Sequence, residues 1–140
     1  MGLDMYLSAK RSFWYDEEPP KLEDMPEGFR VRGVFADAAC WRKANHIHQW
    51  FVDNVQDGVD DCRPYEVSRD QLEALVDLCK EVLTDPSEAE DKLPTTDGFF
   101  FGSTDYEQWY KDNLQLTITQ IEKVLASFND NWSFEYQSSW

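Results

Sequence analysis

An α+β fold, with a mainly antiparallel sheet that includes both terminal strands and is covered by about three helices, is predicted by three observations. Apolar and polar residues alternate near both ends of the 140-residue chain, as they do in half-buried strands. Between the ends, apolar residues recur at spacings of three and four, the period of an amphipathic helix. The length is that of one ordinary domain, which can bury about two-thirds of its unfolded surface. We therefore predict a single α+β domain over residues 1–140.

The first strand is predicted at the start of the chain, where polar residues alternate with Leu3, Met5, Leu7 and Ala9. Residues 16–28 contain three prolines among six acidic residues, which predicts an exposed irregular loop. Residues 29–35 alternate again and predict a second strand. Over residues 37–55, apolar side chains from Trp41 onwards recur every three or four positions, which predicts the first helix.

The second helix is predicted over residues 68–83, after a loop at 57–64. Ser68 and Gln71 have the spacing of a capping box, in which each side chain bonds the other residue's backbone N–H. The apolar face of this helix is formed by Leu72, Leu75, Val76, Cys79, Val82 and Leu83.

The last third of the chain is predicted to hold a short buried strand, a long helix and a final strand. The strand is indicated by the aromatic run at residues 99–101. Thr104 and Glu107 repeat the capping-box spacing and predict a helix over residues 104–128. A strand over residues 131–137 follows from the alternation of Trp132, Phe134 and Tyr136 with polar residues.

The composition combines a strong negative charge with many aromatic residues. The formal net charge is -15 at pH 7, and Phe, Trp and Tyr make up 15% of the chain. Disordered acidic tails have few aromatic residues, so this composition predicts a folded protein with a negative surface. Such a surface argues against direct nucleic-acid binding, which uses clustered Lys and Arg, and favours a protein with a basic surface as the partner.

The cysteines and the lengths of the apolar runs indicate in which cellular compartment the protein is expected. Cys40, Cys62 and Cys79 form no CxxC pair, which argues against a zinc site or a disulfide framework and favours a reducing compartment. The sequence shows no signal peptide and no run of about eighteen apolar residues, so we expect no membrane span. The expected location is the cytoplasm, and no metal or cofactor is expected.

Most of the negative charge lies between residues 49 and 91, where thirteen acidic residues accompany three basic ones. The candidate partner-binding residues are Asp53, Asp57, Asp60, Asp61, Asp70, Glu73, Asp77 and Glu81. The last three are four residues apart on the predicted helix and stack about 6 Å apart on one face. Like charges at this spacing cost a few tenths of a kcal/mol per pair, which favours use by a partner. The alternative interpretation is a solvated face that aids solubility.

A basic segment precedes this acidic block. Residues 29–48 contain Arg30, Arg32, Arg42 and Lys43 against one acidic residue, and they either neutralise the block or bind an anion. His46 and His48 lie two positions apart, roughly 200° around a helix, so they cannot chelate one metal ion. His48 falls on the apolar stripe and is interpreted as a hydrogen-bonded core histidine.

A possible anion site is indicated where the predicted third strand meets the long helix. Gly102, Ser103 and Thr104 would present backbone N–H groups at a helix N-terminus, which suits a phosphate or carboxylate. Arg42 or Lys43 would supply the cation. The alternative is simple capping, because the acidic residues at 105 and 107 would repel a phosphate.

Catalytic and metal patterns are incomplete, and no catalytic residue is assigned. No cysteine has features that lower a thiol pKa. Asp57, Asp60 and Asp61 lack the ligand spacing and terminal Glu of an EF-hand, which argues against a calcium or magnesium site.

Four strings of the sequence together resemble a family of small proteins found in bacteriophages and prophages. They are GLDMYL, WRKANHIHQWFVDNVQDGVDDC, LPTTDGFFFGSTDY and QSSW, and they span nearly the whole chain. The resemblance implies a viral or prophage accessory protein that acts inside a host cell. It implies no particular fold or catalytic residue.

The leading hypothesis is therefore a non-enzymatic phage accessory protein. It would be an acidic, anti-CRISPR-like inhibitor that binds a host nucleic-acid-handling or defence complex by nucleic-acid mimicry, with electrostatically accelerated association. The alternative is a small-ligand protein, either an enzyme or a sequestering binder, for a phosphate-bearing or nucleotide ligand held by Gly102, Ser103 and Thr104.

Overall fold

The structure is a computed structural model that describes residues 2–98 and 101–140, and in this part of the chain it contains a four-stranded antiparallel sheet and four α-helices. The strands are β1 (Asp4–Ser12), β2 (Gly33–Arg42), β3 (Tyr65–Val67) and β4 (Ser133–Ser139). The helices are α1 (Asn45–Asn54), α2 (Arg69–Thr84), α3 (Ala89–Lys92) and α4 (Gln108–Ser127), with a 3-10 turn at Pro86–Glu88 before α3. The predicted α+β class is confirmed, with the first and last strands in one sheet.

The strand order is β2-β1-β4-β3, so the first strand lies inside the sheet and pairs with both β2 and β4. In β1, Met5 and Leu7 are buried, whereas Tyr6 between them is about half exposed at 48%. The same alternation in β4 buries Phe134 and Tyr136. The two strands thus present one apolar face, against which the helices pack.

The core forms where α1, α2 and α4 meet this face. The ring of Phe51 from α1 stacks on Tyr136 of β4 with ring centroids 3.8 Å apart and planes 6° apart. On the other side, the indole N–H of Trp41 donates to Thr117 Oγ1 at 2.8 Å, so a buried polar group of β2 is paired with one of α4. Packed rings with satisfied polar atoms are the arrangement in which aromatic side chains stabilise a core most.

The second strand and the first helix both begin later than the sequence predicted. The sequence predicts a strand over 29–35 and a helix over 37–55, but β2 occupies the first six residues of that helix range and α1 starts after it. Trp41 is an inward-facing strand residue rather than the start of a helical stripe. The physical reason lies at Lys43, whose φ of 57° cannot occur inside a helix and whose N–H donates to the carbonyl of Leu3 at 2.7 Å.

The long helix α4 begins four residues after the start of the predicted range 104–128. The predicted capping box of Thr104 and Glu107 is wrong, since Glu107 is the N-cap and makes no side-chain cap hydrogen bond. The carbonyl of Thr104 instead accepts a hydrogen bond from Thr95 Oγ1 at 2.8 Å. That contact ties this segment to a neighbouring loop.

Other predictions of local structure have mixed outcomes. The capping box of Ser68 and Gln71 at the start of α2 is confirmed, with both reciprocal hydrogen bonds formed. The loop at 16–28 contains no regular element, as predicted. The strand predicted at 99–101 falls mainly outside the described residues, and Phe101 itself is not part of a strand. The sequence analysis did not predict β3, whose three residues are too few for a recognisable alternation.

Candidate functional site

The acidic residues predicted to bind a partner fall into two groups in the structure. One group is engaged within the protein: Asp53 with Gln49, Asp60 with His48 and Trp140, Asp61 with Tyr65 and Arg63, and Glu81 with Lys92. The other group is Asp70, Glu73 and Asp77, which are exposed on α2 and which we call the α2 acidic face. Asp57 belongs to neither group. It is exposed in the turn after α1, with a φ of 53°.

The α2 acidic face lies opposite the side on which the helix packs into the core. Two nearby lysines pair with other carboxylates: Lys80 with Glu122 of α4, and Lys92 with Glu81 and Glu88. These carboxylates raise the pKa of both lysines, and Asp77 adds a smaller contribution in the same direction at Lys80. Within residues 2–98 and 101–140, no cation lies within 4.0 Å of the carboxylates of the α2 acidic face. Its negative charge is therefore uncompensated by direct pairing.

One contact extends this surface towards α1. The side-chain amide of Gln71 donates to the carbonyl of Asn54 at 3.0 Å, so the end of α1 lies beside the first turn of α2. Asp53 is exposed on that last turn of α1, and Asp70 is exposed on the first turn of α2. Two parts of the predicted acidic block, at the end of α1 and the start of α2, therefore lie next to each other.

Asp60 belongs instead to a hydrogen-bonded network that closes the core. His48 Nε2 lies 2.9 Å from Asp60 Oδ1, and His48 Nδ1 lies 2.7 Å from the hydroxyl oxygen of Tyr136. The indole N–H of Trp140 donates to the same Asp60 oxygen at 2.9 Å. Both ring nitrogens of His48 have partners and the side chain is 1% exposed, which confirms the interpretation as a hydrogen-bonded core histidine.

The protonation state of this network follows from burial. Burial lowers the pKa of His48, and the neighbouring Asp60 opposes this shift. A neutral ring can donate from Nε2 to the carboxylate of Asp60 and accept at Nδ1 from the hydroxyl of Tyr136. Burial also raises the pKa of Tyr136 well above its ordinary value, and that side chain is fully buried. The Tyr136 hydroxyl is thus a structural donor that no external substrate reaches.

His46 is also buried but lies in different surroundings. Its ring stacks on Tyr110 with centroids 4.2 Å apart, and neither ring nitrogen has a hydrogen-bond partner in the described part of the chain. Burial lowers the pKa of His46 to about 3, so the ring is neutral at physiological pH. The described residues also hold no cluster of three or more His, Cys, Asp and Glu side chains with metal-binding geometry.

The residues of the alternative ligand site are only partly brought together. Gly102 has a φ of 99°, and a Cβ at this position would lie 2.7 Å from the carbonyl oxygen of Lys43, so only glycine permits the approach. The expected helix N-terminus is missing, because α4 begins at Gln108. The backbone N–H groups after Gly102 therefore lack the helix dipole on which the predicted anion site depended.

Ser103 and Arg42, which also belong to the predicted site, make other contacts. Ser103 Oγ accepts a hydrogen bond from the backbone N–H of Asp105 at 3.1 Å, and the Ser103 carbonyl accepts one from the side chain of Asn45 at 2.8 Å. Arg42 lies 3.7 Å from Asp4, on the sheet. The contact with Asn45 attaches this loop to the start of α1, so it stabilises the structure and does not form an anion site.

The three cysteines lie in different surroundings. Burial raises the pKa of Cys79 to about 12, which keeps its thiol protonated. Cys40 is exposed on β2 and Cys62 lies in a turn, and all three thiols are free.

A feature that the sequence analysis missed is the segment 13–32 between β1 and β2, which we call the aromatic loop. Trp14, Tyr15 and Phe29 are 71%, 97% and 73% exposed, although aromatic rings usually lie in cores. The guanidinium of Arg30 donates to the carbonyls of Trp14 and Glu17 at 2.9 and 3.0 Å, so the loop backbone is fixed while its rings are exposed. The consecutive aromatic residues Phe13, Trp14 and Tyr15 beside a proline-rich acidic loop were the available signal.

The comparisons with known proteins supply no family. Models of known protein families, curated proteins and solved structures all give no match to this chain. Among the described residues, no helix combines the length and the apolar character that crossing a membrane requires.

Proposed function

We propose that this chain is a non-enzymatic interaction protein whose α2 acidic face, formed by Asp70, Glu73 and Asp77, binds a basic surface of a partner protein. The observation that carries the proposal is that these three carboxylates are exposed and unpaired by cations in the described structure, while the nearest lysines are held by other carboxylates. An uncompensated row of like charges slightly destabilises a helix, so partner binding gives it a use.

The finer proposal is a bacteriophage-encoded inhibitor of a host nucleic-acid-handling or defence complex. Its support is the resemblance of the sequence to phage proteins and the charge of -15, which disfavours nucleic acid as a direct ligand. In this proposal the carboxylates of α2, spaced by one helical turn, bind a channel whose Lys and Arg residues otherwise contact phosphates. Complementary charge would accelerate association and make it sensitive to salt.

We propose a non-enzymatic role because three side chains that could act in catalysis are buried. His48, Tyr136 and Cys79 are residue types that often take part in catalysis, and all three are 1% exposed or less. A group that takes part in catalysis must reach the substrate within hydrogen-bond distance. The proposal therefore uses the surface of the protein and not its interior.

The experiment compares three forms of the protein as bait in bacterial host lysate. The test variant reverses Asp70, Glu73 and Asp77 to Lys, and the matched control reverses three scattered, exposed carboxylates, Asp24, Asp37 and Asp105, so that both change the net charge equally. We expect the wild type and the control to retain a nucleic-acid-handling protein that the test variant loses. Raising salt from about 0.15 M to about 1 M shortens the Debye length from about 8 Å to about 3 Å and should release it from the wild type.

Equal capture by all three forms would remove the proposal, because it would show that the α2 acidic face only aids solubility. Loss of capture in both variants would indicate a dependence on net charge rather than on this face. Circular dichroism of each variant checks that the fold is intact.

A further inference from the structure

Two clefts at the base of the aromatic loop have an unusual charge pattern for so acidic a protein. The first has a volume of about 600 Å³ and is lined by Ser12, Phe13, Trp14, Tyr15, Arg30 and Arg32. The second has a volume of about 530 Å³, and its charged lining residues are Lys10, Arg11 and Arg32, with Leu22, Met25 and Phe35 among its apolar ones. No carboxylate lines either cleft, although the chain carries 28 acidic residues. The clefts are therefore cationic and apolar.

The cations in these clefts differ in how they are engaged. Lys10 lies 3.4 Å from Glu135, Arg11 lies 3.7 Å from Glu17, and Arg30 donates to two backbone carbonyls. Arg32 lines both clefts, and within the described structure its guanidinium has no carboxylate within 4.0 Å. Its backbone carbonyl accepts a hydrogen bond from the N–H of Phe13 at 2.8 Å, which fixes the backbone at Arg32. Arg32 thus combines a fixed backbone with a guanidinium that is available for a carboxylate.

Two of the rings near Arg32 lie close to other guanidinium groups. The Arg11 guanidinium lies 4.8 Å from the centre of the Phe13 ring, and that of Arg30 lies 5.7 Å from the centre of the Tyr15 ring. Trp14 at 71% exposure and Phe35 at 72% leave large apolar areas in water. Trp, Tyr and Arg are the residues most enriched among those that dominate binding energy, and a fixed backbone reduces the entropy lost on binding.

We infer that these clefts bind a short apolar peptide segment of another protein, with Trp14 and Tyr15 contacting its apolar side chains and Arg32 pairing with a carboxylate that it carries. Charge complementarity supports this occupant, because the charged residues that line both clefts are basic and Arg32, which lines both, is not paired with a carboxylate in the described structure. A single-stranded nucleic acid is disfavoured, since residues 13–32 carry six carboxylates against three cations and would repel a row of phosphates. This surface differs from the α2 acidic face, so the inference does not depend on the proposed function.

The test selects peptides from a random library displayed on phage, with the intact protein immobilised. Selected peptides are then synthesised, labelled and titrated by fluorescence polarisation. We expect the enriched sequences to place Asp or Glu close to Trp, Phe or Leu. Arg32→Glu and Trp14→Ala should each weaken binding about tenfold or more, as changes at dominant interface residues do, and Arg32→Lys should restore part of the affinity.

Matched controls separate the clefts from general effects. Arg42→Glu makes the same charge change at another exposed arginine, and Leu116→Ala removes an apolar side chain that is 42% exposed on α4. Both should leave the affinity within about twofold of the wild type, as substitutions outside an interface do. Circular dichroism confirms that the variants are folded.

Several results would overturn the inference. They are an absence of enriched peptides, enrichment of peptides without an acidic residue, and an equal loss of affinity in Arg42→Glu. Binding of an oligothymidine probe that is lost in Arg32→Glu would assign the clefts to nucleic acid instead. A dimer seen by analytical ultracentrifugation and abolished by Trp14→Ala would assign them to a second copy of the chain.

Discussion

The interior around Tyr136 and the aromatic loop contain similar residue types in opposite environments. Tyr136 is fully buried, its ring stacks on Phe51, and its hydroxyl is hydrogen-bonded to His48. In the aromatic loop, Trp14 is largely exposed, and Arg30 donates hydrogen bonds to the backbone carbonyls of Trp14 and Glu17. A buried ring with satisfied partners thus contributes stability, whereas an exposed ring on a fixed backbone is available for binding.

The largest expected effect tests that division directly. Phe51→Ala should lower the free energy of unfolding by about 3–5 kcal/mol, because it leaves a cavity beside Tyr136. Trp14→Ala should change it by no more than about 0.5 kcal/mol, since the side chain is mostly in water already. Urea unfolding of both variants measures the two values. A similar loss in each would show that the aromatic loop is part of the core.

The second prediction concerns pH and the buried ring of His46. Its pKa is about 3 in the folded protein and near the ordinary 6.5 when unfolded, so the unfolded chain binds the proton first as the pH falls. The stability contributed by the neutral ring is fully present above about pH 6.5 and is lost towards pH 3, with a slope of up to about 1.4 kcal/mol per pH unit.

His46→Phe removes this titration and also the two ring nitrogens that lack partners. The variant should lose less stability than the wild type when unfolding is measured by urea at pH 7, 6, 5 and 4, a range set by the pKa values above. Parallel curves for the two proteins would show that His46 does not control the acid sensitivity. The carboxylates titrate in both proteins and therefore cancel in the comparison.

A smaller loss is expected from opening the polar side of the core network. Asp60→Ala leaves the buried Nε2–H of His48 without its acceptor, which should cost about 1–3 kcal/mol. Trp140→Phe removes only the other donor to Asp60, on a side chain that is 52% exposed, and should cost no more than about 0.5 kcal/mol. Equal costs, measured by thermal unfolding, would mean that Asp60 mainly anchors the end of the chain.

The sequence was informative where one periodic pattern decided the structure. Alternation located β1 and β4, and the capping box located the start of α2. It failed at Lys43, where a single left-handed residue separates strand from helix and leaves no mark in the hydrophobic pattern. It also failed at Thr104, whose carbonyl is bound by a residue nine positions earlier. Such choices depend on tertiary contacts that local spacing does not encode.

For the candidate surfaces too, the sequence predicted what depends on local spacing and missed what depends on contacts between residues far apart in the chain. Helical spacing correctly placed Glu73 and Asp77 on the exposed side of α2. It could not show that Asp60 is taken up by His48, or that Glu81 is paired with Lys92, because those partners are eleven or twelve residues away. The aromatic loop was missed for a related reason. Its Trp and Tyr residues look like core residues in a composition, and only the fold shows that they are exposed.

The smallest expected effect concerns the α2 acidic face, which is exposed, in contrast to the core around Tyr136. Glu73→Gln removes one charge from a row of like charges, so it should raise the free energy of unfolding by about 0.2–0.5 kcal/mol at low salt. The gain should vanish near 1 M salt, where the Debye length is about 3 Å. Glu122→Gln is the control with the opposite sign, because it removes the partner of Lys80 and should lower stability or leave it unchanged.

Urea unfolding of both variants at low and high salt measures these differences. Destabilisation by Glu73→Gln would mean that the α2 acidic face is compensated by other charges, and the proposed function would lose its main support. A gain in stability together with weaker partner capture has a different meaning. Solubility requires negative charge but no particular position for it, so a position that lowers stability and strengthens binding is explained by the partner.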